Sequence, residues 1–368
     1  MSLRVVTPQR LMFVLVLVIS LHVCESKRQS KHKENGSFLP DINLWETLNK
    51  YITRVIKPDT LFLESGKRTI DKVVKYLHQK LHPALQSCLK DVLPPGELKK
   101  VNINKIVKGG SLGKSTAVKN KSDIDLVIFL NGIETVSKLR DVMPNILECL
   151  EGLLDTLVND GQQPWARRFR HLYKSKFAVP IELETMNDLD EKDTREIDLL
   201  PAVDIIKSVG SIKKIYEEMD SVDDNLRRYF SASLSPLQLK FVQEATASAK
   251  VKDLIQFMKH WAKVNDVPVR SYFLELVVIH VQREHPERDF DIDERCKDVF
   301  RVLARCDGLK IVFNNNYDVT LYRNAKTNEV PHVLCPSNPY MNTAPNVHNA
   351  KIVSRLAKEA LDYLDSTN

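Results

Sequence analysis

Apolar residues at Leu44, Leu48 and Ile52 recur at every fourth position and then break at Lys57-Pro58-Asp59-Thr60, where a proline and two capping side chains end one helix and open the next. Ile70, Val73, Val74, Leu77 and Leu81 trace the buried stripe of that second helix. Past the turn-rich DVLPPGELKK the period shortens: VNINKIV alternates apolar and polar residues, as a half-buried strand does. DIDLVIFL, FAVPIELETM and REIDLL predict further strands, the last halted by Pro201 before a helix in PAVDIIKSV, at whose start Asp204 places a favourable charge. Helical patterning governs the chain after Ile205. The expectation is a mixed sheet with flanking helices, followed by a helical lobe.

The first residues carry a different pattern. Arg4 and Arg10 precede the apolar run LMFVLVLVISLHV, too short for a comfortable membrane span, and Cys24 and Ser26 stand where a cleavage site would want small residues. Residues 1–26 therefore read as a signal-like segment, and residues 27–42 as a polar, basic linker with a glycosylation sequon at Asn35. With 43% hydrophobic and 28% charged residues in 368, the rest suits one large or two closely packed lobes. A formal charge of +6 favours a polyanionic partner. Cys88, Cys149, Cys296, Cys306 and Cys335 are scattered without a CxxC, which predicts buried thiols and neither a disulfide framework nor a zinc site.

Candidate chemistry concentrates in GGSLGKSTAVKNKSDIDLVIFL. Gly109, Gly110 and Ser111 follow a strand, where missing side chains let backbone N–H groups and a hydroxyl approach an anion. Asp123 and Asp125 alternate with Ile124, so both carboxylates share one strand face and repel unless a cation lies between them. That pairing predicts a divalent-metal clamp. The GKST string is an imperfect P-loop, since the required first glycine is Lys108. Two metals need a third acid, and Asp198 in REIDLLPAVDII is the candidate, with the three acids placed near one edge of the sheet.

These segments, with KPDTLF, LIQFMKHW, SYFLELVVIH and VPHVLCPSNP, fall in the order and spacing of the 2′-5′-oligoadenylate synthetase family, and the chain resembles that family over roughly residues 43 to 365. The resemblance implies an α+β, bilobal polymerase-beta-like nucleotidyltransferase: an N-lobe of mixed sheet and helices over 43–205 and a helical C-lobe over 206–368, with the active site between them. It implies two Mg²⁺ ions held by Asp123, Asp125 and Asp198, donor ATP phosphates on Gly110 and Ser111, triphosphate charge met by Lys259, and Tyr272 lining the nucleotide site. Gln256, Ser271 and Cys335 depart from the arginine, glutamine and aspartate common in the family.

The resemblance also implies activation by double-stranded RNA, read through phosphates and 2′-hydroxyls, with Lys57, Lys67, Lys108 and Lys114 as contacts at one end of the footprint. SPLQLKFVQEATASAK contributes only Lys240 and Lys250 where relatives are more basic, which points to weak, altered or absent activation. A cyclic-dinucleotide synthase and a non-catalytic RNA-binding relative are the alternatives. The oligomerising Cys-Phe-Lys tripeptide is missing from DYLDSTN, so the expectation is a monomer without an obligate protein partner. ATP and RNA imply cytosol, with membrane association an option, whereas residues 1–26 imply the secretory route. A sugar on the second sequon, Asn120-Lys121-Ser122, would crowd the acids.

Overall fold

The computed structural model describes Leu39 and residues 46–119, 123–159, 161–186, 192–286 and 290–366. The signal-like segment, Leu44 and both sequons lie outside the described residues. Among those described, no helix is long and apolar enough to cross a membrane.

The first predicted helix is α1, Leu48–Tyr51, continued by a π-helical turn at Ile52–Ile56. Lys57 then turns extended, as the residue before a proline prefers. The second is α2, Thr60–Cys88, whose start is capped by Asp59: its carboxylate accepts from the Phe62 N–H at 2.7 Å. Ile70, Val73, Leu77 and Leu81 are buried along it, with Val74 half-buried. The Pro-Pro-Gly connection holds one helical turn, α3 (Pro95–Leu98).

Five strands follow around three further helices: β1 (Asn102–Lys108), α4 (Gly110–Lys114), β2 (Asp123–Asn131), α5 (Val136–Asn159), β3 (Ala166–His171), β4 (Val179–Met186), β5 (Lys192–Ala202) and α6 (Ile205–Val209). Their order in the sheet is β1-β2-β5-β4-β3, with β2 and β5 parallel and the other pairs antiparallel. Pro201 does not stop β5. It lies within the strand, paired with Ile128, and the strand runs through Ala202; proline is tolerated there because β4 pairs with β5 only as far as Leu199, which leaves Pro201 on an open side of the strand. Asp204 caps α6 as expected, accepting from the Lys207 N–H.

Strand alternation sorts the sheet's two faces. Ile124, Leu126, Ile128, Ile197 and Leu199 enter the first core with α2 and α5, whereas Val127, Phe129 and Ala202 face the other way. That second face is covered by a later helix, which packs Ala232 against it.

The remaining helices are α7 (Ile212–Ser221), α8 (Asp224–Arg227), α9 (Phe230–Ala245), α10 (Ala249–Val264), α11 (Ser271–Glu284), α12 (Ile292–Leu303) and α13 (Val347–Ser366). A small sheet of β6 (Lys310–Ile311), β7 (His332–Cys335) and β8 (Asn338–Asn342) precedes α13. The two cores do not divide the chain at 205. Ile205, Ile215, Tyr216, Phe230 and Leu234 belong to the first, while Leu48, Tyr51, Ile52 and Ile56 join the second, with α10 to α13. The amphipathic stripe of α1 finds its apolar partner on α10, and the Tyr51 hydroxyl meets His260 Nε2 at 3.1 Å.

Replacing Asp59 with alanine strips the cap from α2 and is expected to cost about 1 kcal/mol, while Asp59→Asn retains most of it. Urea unfolding of the three proteins measures both.

Candidate active site

The parallel register of β2 and β5 sets Asp125 opposite Asp198 and Asp123 opposite Glu196. Side chains of paired residues on adjacent strands project to the same face, so both expected aspartates of β2 and the third of β5 come together on the face that α9 covers farther along. The acids lie at the start of β2 and in the middle of β5, and not at a sheet edge, because β1 and the β4–β3 pair extend the sheet on either side.

The Gly-Ser turn is stitched to the same place. The Gly109 N–H donates to the Asp125 carbonyl at 2.7 Å, and the Asp123 N–H donates to Ser111 Oγ at 3.2 Å. Gly110 has φ +69°, and a Cβ there would sit 2.2 Å from the Asp123 carbonyl oxygen. Only glycine permits that approach. The turn is the short helix α4 and not an open loop.

Burial is the first cause pushing Asp125 up to about 7, followed by repulsion from Asp123 and Asp198, with Lys114 offsetting part of it. Asp198 rises to about 6 by burial and then by Asp123 and Glu196. Oxygen-only donors carrying uncompensated negative charge fit a hard divalent cation. Among the described residues, no group of three or more His, Cys, Asp or Glu side chains is already closed around a metal-sized point. The acids converge on one face without having drawn together on one position.

A cavity of about 380 Å³ adjoins the trio, lined by Ser111, Thr116, Asp123 and, from the helical lobe, Lys259, Lys263 and Ser271. Lys259 thus reaches the site from α10. Its ammonium is held by Glu275 at 2.5 Å and by Thr116 Oγ1 at 2.8 Å. Glu275 also takes Lys114 at 2.9 Å and the Thr116 hydroxyl at 3.2 Å. Lys114, expected among the RNA-facing lysines, is instead a nearly buried member of this bridge between α4 and α11, 14% exposed and 4.6 Å above the Tyr272 ring. Burial would push the Glu275 carboxyl up, but Lys259 and Lys114 outweigh it and hold it at about 2. Sequence reasoning passed over Glu275: within the apolar run SYFLELVVIH its buried charge signals a paired group.

Tyr272 is packed behind the cavity wall, its hydroxyl 3.4 Å from the buried Cys335 thiol, which in turn meets Ser337 Oγ at 3.3 Å. Gln256, the other departure on this wall, donates to the Ala117 carbonyl at 2.6 Å. The five described cysteines are free thiols, four of them buried, as expected. Of the remaining lysines, Lys57 pairs with Asp253 at 2.9 Å, Lys108 pairs with Asp71, and Lys67 is exposed on α2. A further missed residue is Arg195, buried in β5, which donates to Asp193 at 2.7 Å and to the Phe62 carbonyl at 3.1 Å. Ser65 also donates to Asp193, at 2.6 Å, so α2 is tied to the strand that carries Asp198.

Residues 211–368 match the family described as 2′-5′-oligoadenylate synthetase 1, domain 2, C-terminus, and residues 96–219 match the nucleotidyltransferase domain family. The chain belongs to the 2′-5′-oligoadenylate synthetase family. Rat 2′-5′-oligoadenylate synthase 1A is 26% identical over 86% of this chain and 88% of its own length. Mouse 2′-5′-oligoadenylate synthase 2 is 28% identical over 74% of this chain, which spans only 36% of that protein. A mouse relative named inactive 2′-5′-oligoadenylate synthase 1D is 23% identical over 88% of this chain and 91% of its own. A solved structure of CdnC from E. coli MS115-1 with ATP shares the fold, with a TM-score of 0.55 at 14% identity over 87% of this chain and 90% of that one. The synthetase-family chain is thus an α+β, polymerase-beta-like nucleotidyltransferase in fold.

Two measurements test the electrostatics. Folded-state values of Asp125 and Asp198 above the ordinary carboxylate range mean that the native protein binds more protons than the unfolded chain from about pH 4 to about pH 7, so their contribution to stability falls as pH rises. Without divalent metal, Asp125→Asn is expected to melt at a higher temperature than the parent, by a margin that widens from pH 5 to pH 8. Glu275→Gln leaves two buried lysines unneutralised and is expected to cost about 3–5 kcal/mol at neutral pH. Because the depressed Glu275 value makes its contribution disappear as pH falls toward 2, urea unfolding at pH 3 shows a smaller difference than at pH 7.

Proposed function

We propose that the protein is a 2′-5′-oligoadenylate synthetase that joins ATP units through a two-metal nucleotidyl transfer. The observation that carries this reading is the pairing of Asp125 with Asp198 across β2 and β5, beside Asp123 and the serine turn. Asp123, Asp125 and Asp198 would hold two Mg²⁺ ions, whose chemistry when bound is to neutralise the donor triphosphate and acidify the acceptor hydroxyl.

The chain's own groups supply the rest. Gly110 and Ser111 present the α4 turn to the donor phosphates, with Ser111 already on the cavity wall. Lys259, on the opposite wall, adds positive charge toward the same phosphates. The acceptor 2′-oxygen attacks the donor α-phosphorus, the bond to the β-phosphate oxygen breaks, and pyrophosphate leaves with its electron pair. Asp198, across from Asp125 in the parallel register, is the carboxylate this reading assigns to receive the hydroxyl proton. Tyr272 supports the wall from behind through Ser271 and Lys114.

Duplex RNA is the activator this reading assigns, with Lys57, Lys67 and Lys108 as its contacts and Lys114 removed from that set by its pairing with Glu275. Cytosolic action follows from ATP and RNA as ligands.

Incubation with ATP and Mg²⁺, with and without duplex RNA, is expected to give 2′-5′-linked oligoadenylates and pyrophosphate. Asp198→Ala is expected to lower the rate by roughly 10²-fold or more. Mass spectrometry and linkage-specific nuclease digestion read the product: a cyclic dinucleotide from ATP and GTP would replace this reading, and no phosphodiester under any condition would leave a non-catalytic relative.

A further inference from the structure

A second cavity lies farther along β5 from Asp198, larger than the one lined by Ser111 and Lys259. It has a volume of about 500 Å³, and its lining includes Phe177, Leu200, Arg228, Tyr229, Ala232 and Arg270. Leu200 follows Asp198 by two residues in β5, so it points to the same face of the sheet and lies roughly 7 Å farther along the strand. The cavity therefore lies on the same face of the sheet as the carboxylates, two residues beyond Asp198 along β5, where α9 begins to cover the sheet. Tyr173, exposed on the β3–β4 connection, feels the charges of Asp198, Asp125 and Arg270.

The cations here differ in their state. Arg227 is buried and fully engaged, by Asp224, by the Met219 carbonyl at 2.7 Å and by the Val222 carbonyl at 2.5 Å. Lys326 is paired with Asp224 at 3.3 Å and Glu329 at 3.7 Å. Arg228 and Arg270 are exposed, and their side chains make no ion pair or hydrogen bond among the described residues. Arg228 is nevertheless held in place, its guanidinium 4.7 Å over the Phe177 ring, which packs edge-on against Tyr229 with ring centres 4.8 Å apart. Two uncommitted guanidinium forks at a concave site whose lining also includes Phe177 and Tyr229 suit a ligand that carries both phosphate oxygens and an aromatic base.

We propose that this cavity binds the acceptor by its 5′-phosphates, with Arg228 and Arg270 as the phosphate-binding residues, so that a 5′-phosphorylated acceptor is selected over a dephosphorylated one. The proposal rests on the reading of the acid trio as a nucleotidyl-transfer site and adds the specificity of its second substrate. The donor is served by the cavity of Ser111 and Lys259, and the acceptor reaches Asp198 from the opposite side. Growing chains that keep their 5′-phosphates would stay anchored by the two arginines.

The test separates binding from turnover. Full-length protein in chelator, where no transfer proceeds, is titrated with fluorescent 2′-5′-linked diadenylate bearing a 5′-triphosphate, and with the same compound dephosphorylated. The parent is expected to bind the phosphorylated probe at least about tenfold more tightly, and Arg228→Ala with Arg270→Ala to abolish the difference. Thermal melts confirm that the variants fold, and Arg228→Lys with Arg270→Lys, which keeps charge without the fork, is expected to restore the preference only in part. Equal binding of both probes by the parent, or an unchanged preference in the double alanine variant, overturns the proposal. Displacement by inorganic pyrophosphate at concentrations as low as those of the phosphorylated diadenylate would assign the arginines to the leaving group and overturn it too. Because this readout needs no catalysis, a protein that shows the preference and yet makes no phosphodiester would refute the transfer reading alone.

Discussion

The parallel pairing of β2 with β5 is the constraint on which the site depends. A parallel pair in this sheet places Asp125 across from Asp198 although 73 positions separate them in the chain, and shifting the register by one residue would send either carboxylate to the opposite, apolar face. The register is defended by burial, since Ile124, Leu126, Ile197 and Leu199 on the reverse face are almost fully buried in the first core. The price of convergence is repulsion among acids that share a partly dehydrated space, and a cation is the natural relief.

Opposite charge is handled at the lobe boundary. Glu275 on α11 gathers Lys114 from the Gly-Ser turn and Lys259 from α10, so one buried carboxylate joins the two lobes and stores two ammonium groups beside the acids. A buried pair of this kind gives little net stability against an apolar replacement, but it fixes geometry because either partner alone would be left uncompensated. Arg195 does comparable work on the other side, fastening β5 to the first turns of α2 through Asp193 and the Phe62 carbonyl. Strand β5 is therefore held by a helix whose surface carries Lys67 and Arg68, which links the exposed basic face of α2 mechanically to the strand of Asp198.

Much of this was legible from local pattern. The capping aspartate of α2, the alternation of VNINKIV and DIDLVIFL, and the Gly-Ser turn before Asp-x-Asp are short-range signals, fixed by side-chain period and backbone freedom. The errors were also physical. Pro201 reads as a strand stop only if its missing N–H would have been needed, and its neighbours in the sheet decide that. Lys114 reads as an RNA-facing lysine until the helical lobe brings Glu275 against it from 161 residues away.

The amino-acid order by itself determined the helix and strand types, the glycine at Gly110 that lets a turn touch the Asp123 carbonyl, and which acids share a strand face, because each follows from the geometry of a few consecutive residues. Tertiary structure alone decided the rest: that Leu48–Ile56 packs with the later helices, that Asp198 faces Asp125, that Lys114 is buried, and that two arginines are left uncommitted beside Leu200. Those are outcomes of long-range packing, where the partner of a charge or an apolar stripe is chosen by which distant surface arrives to exclude water from it.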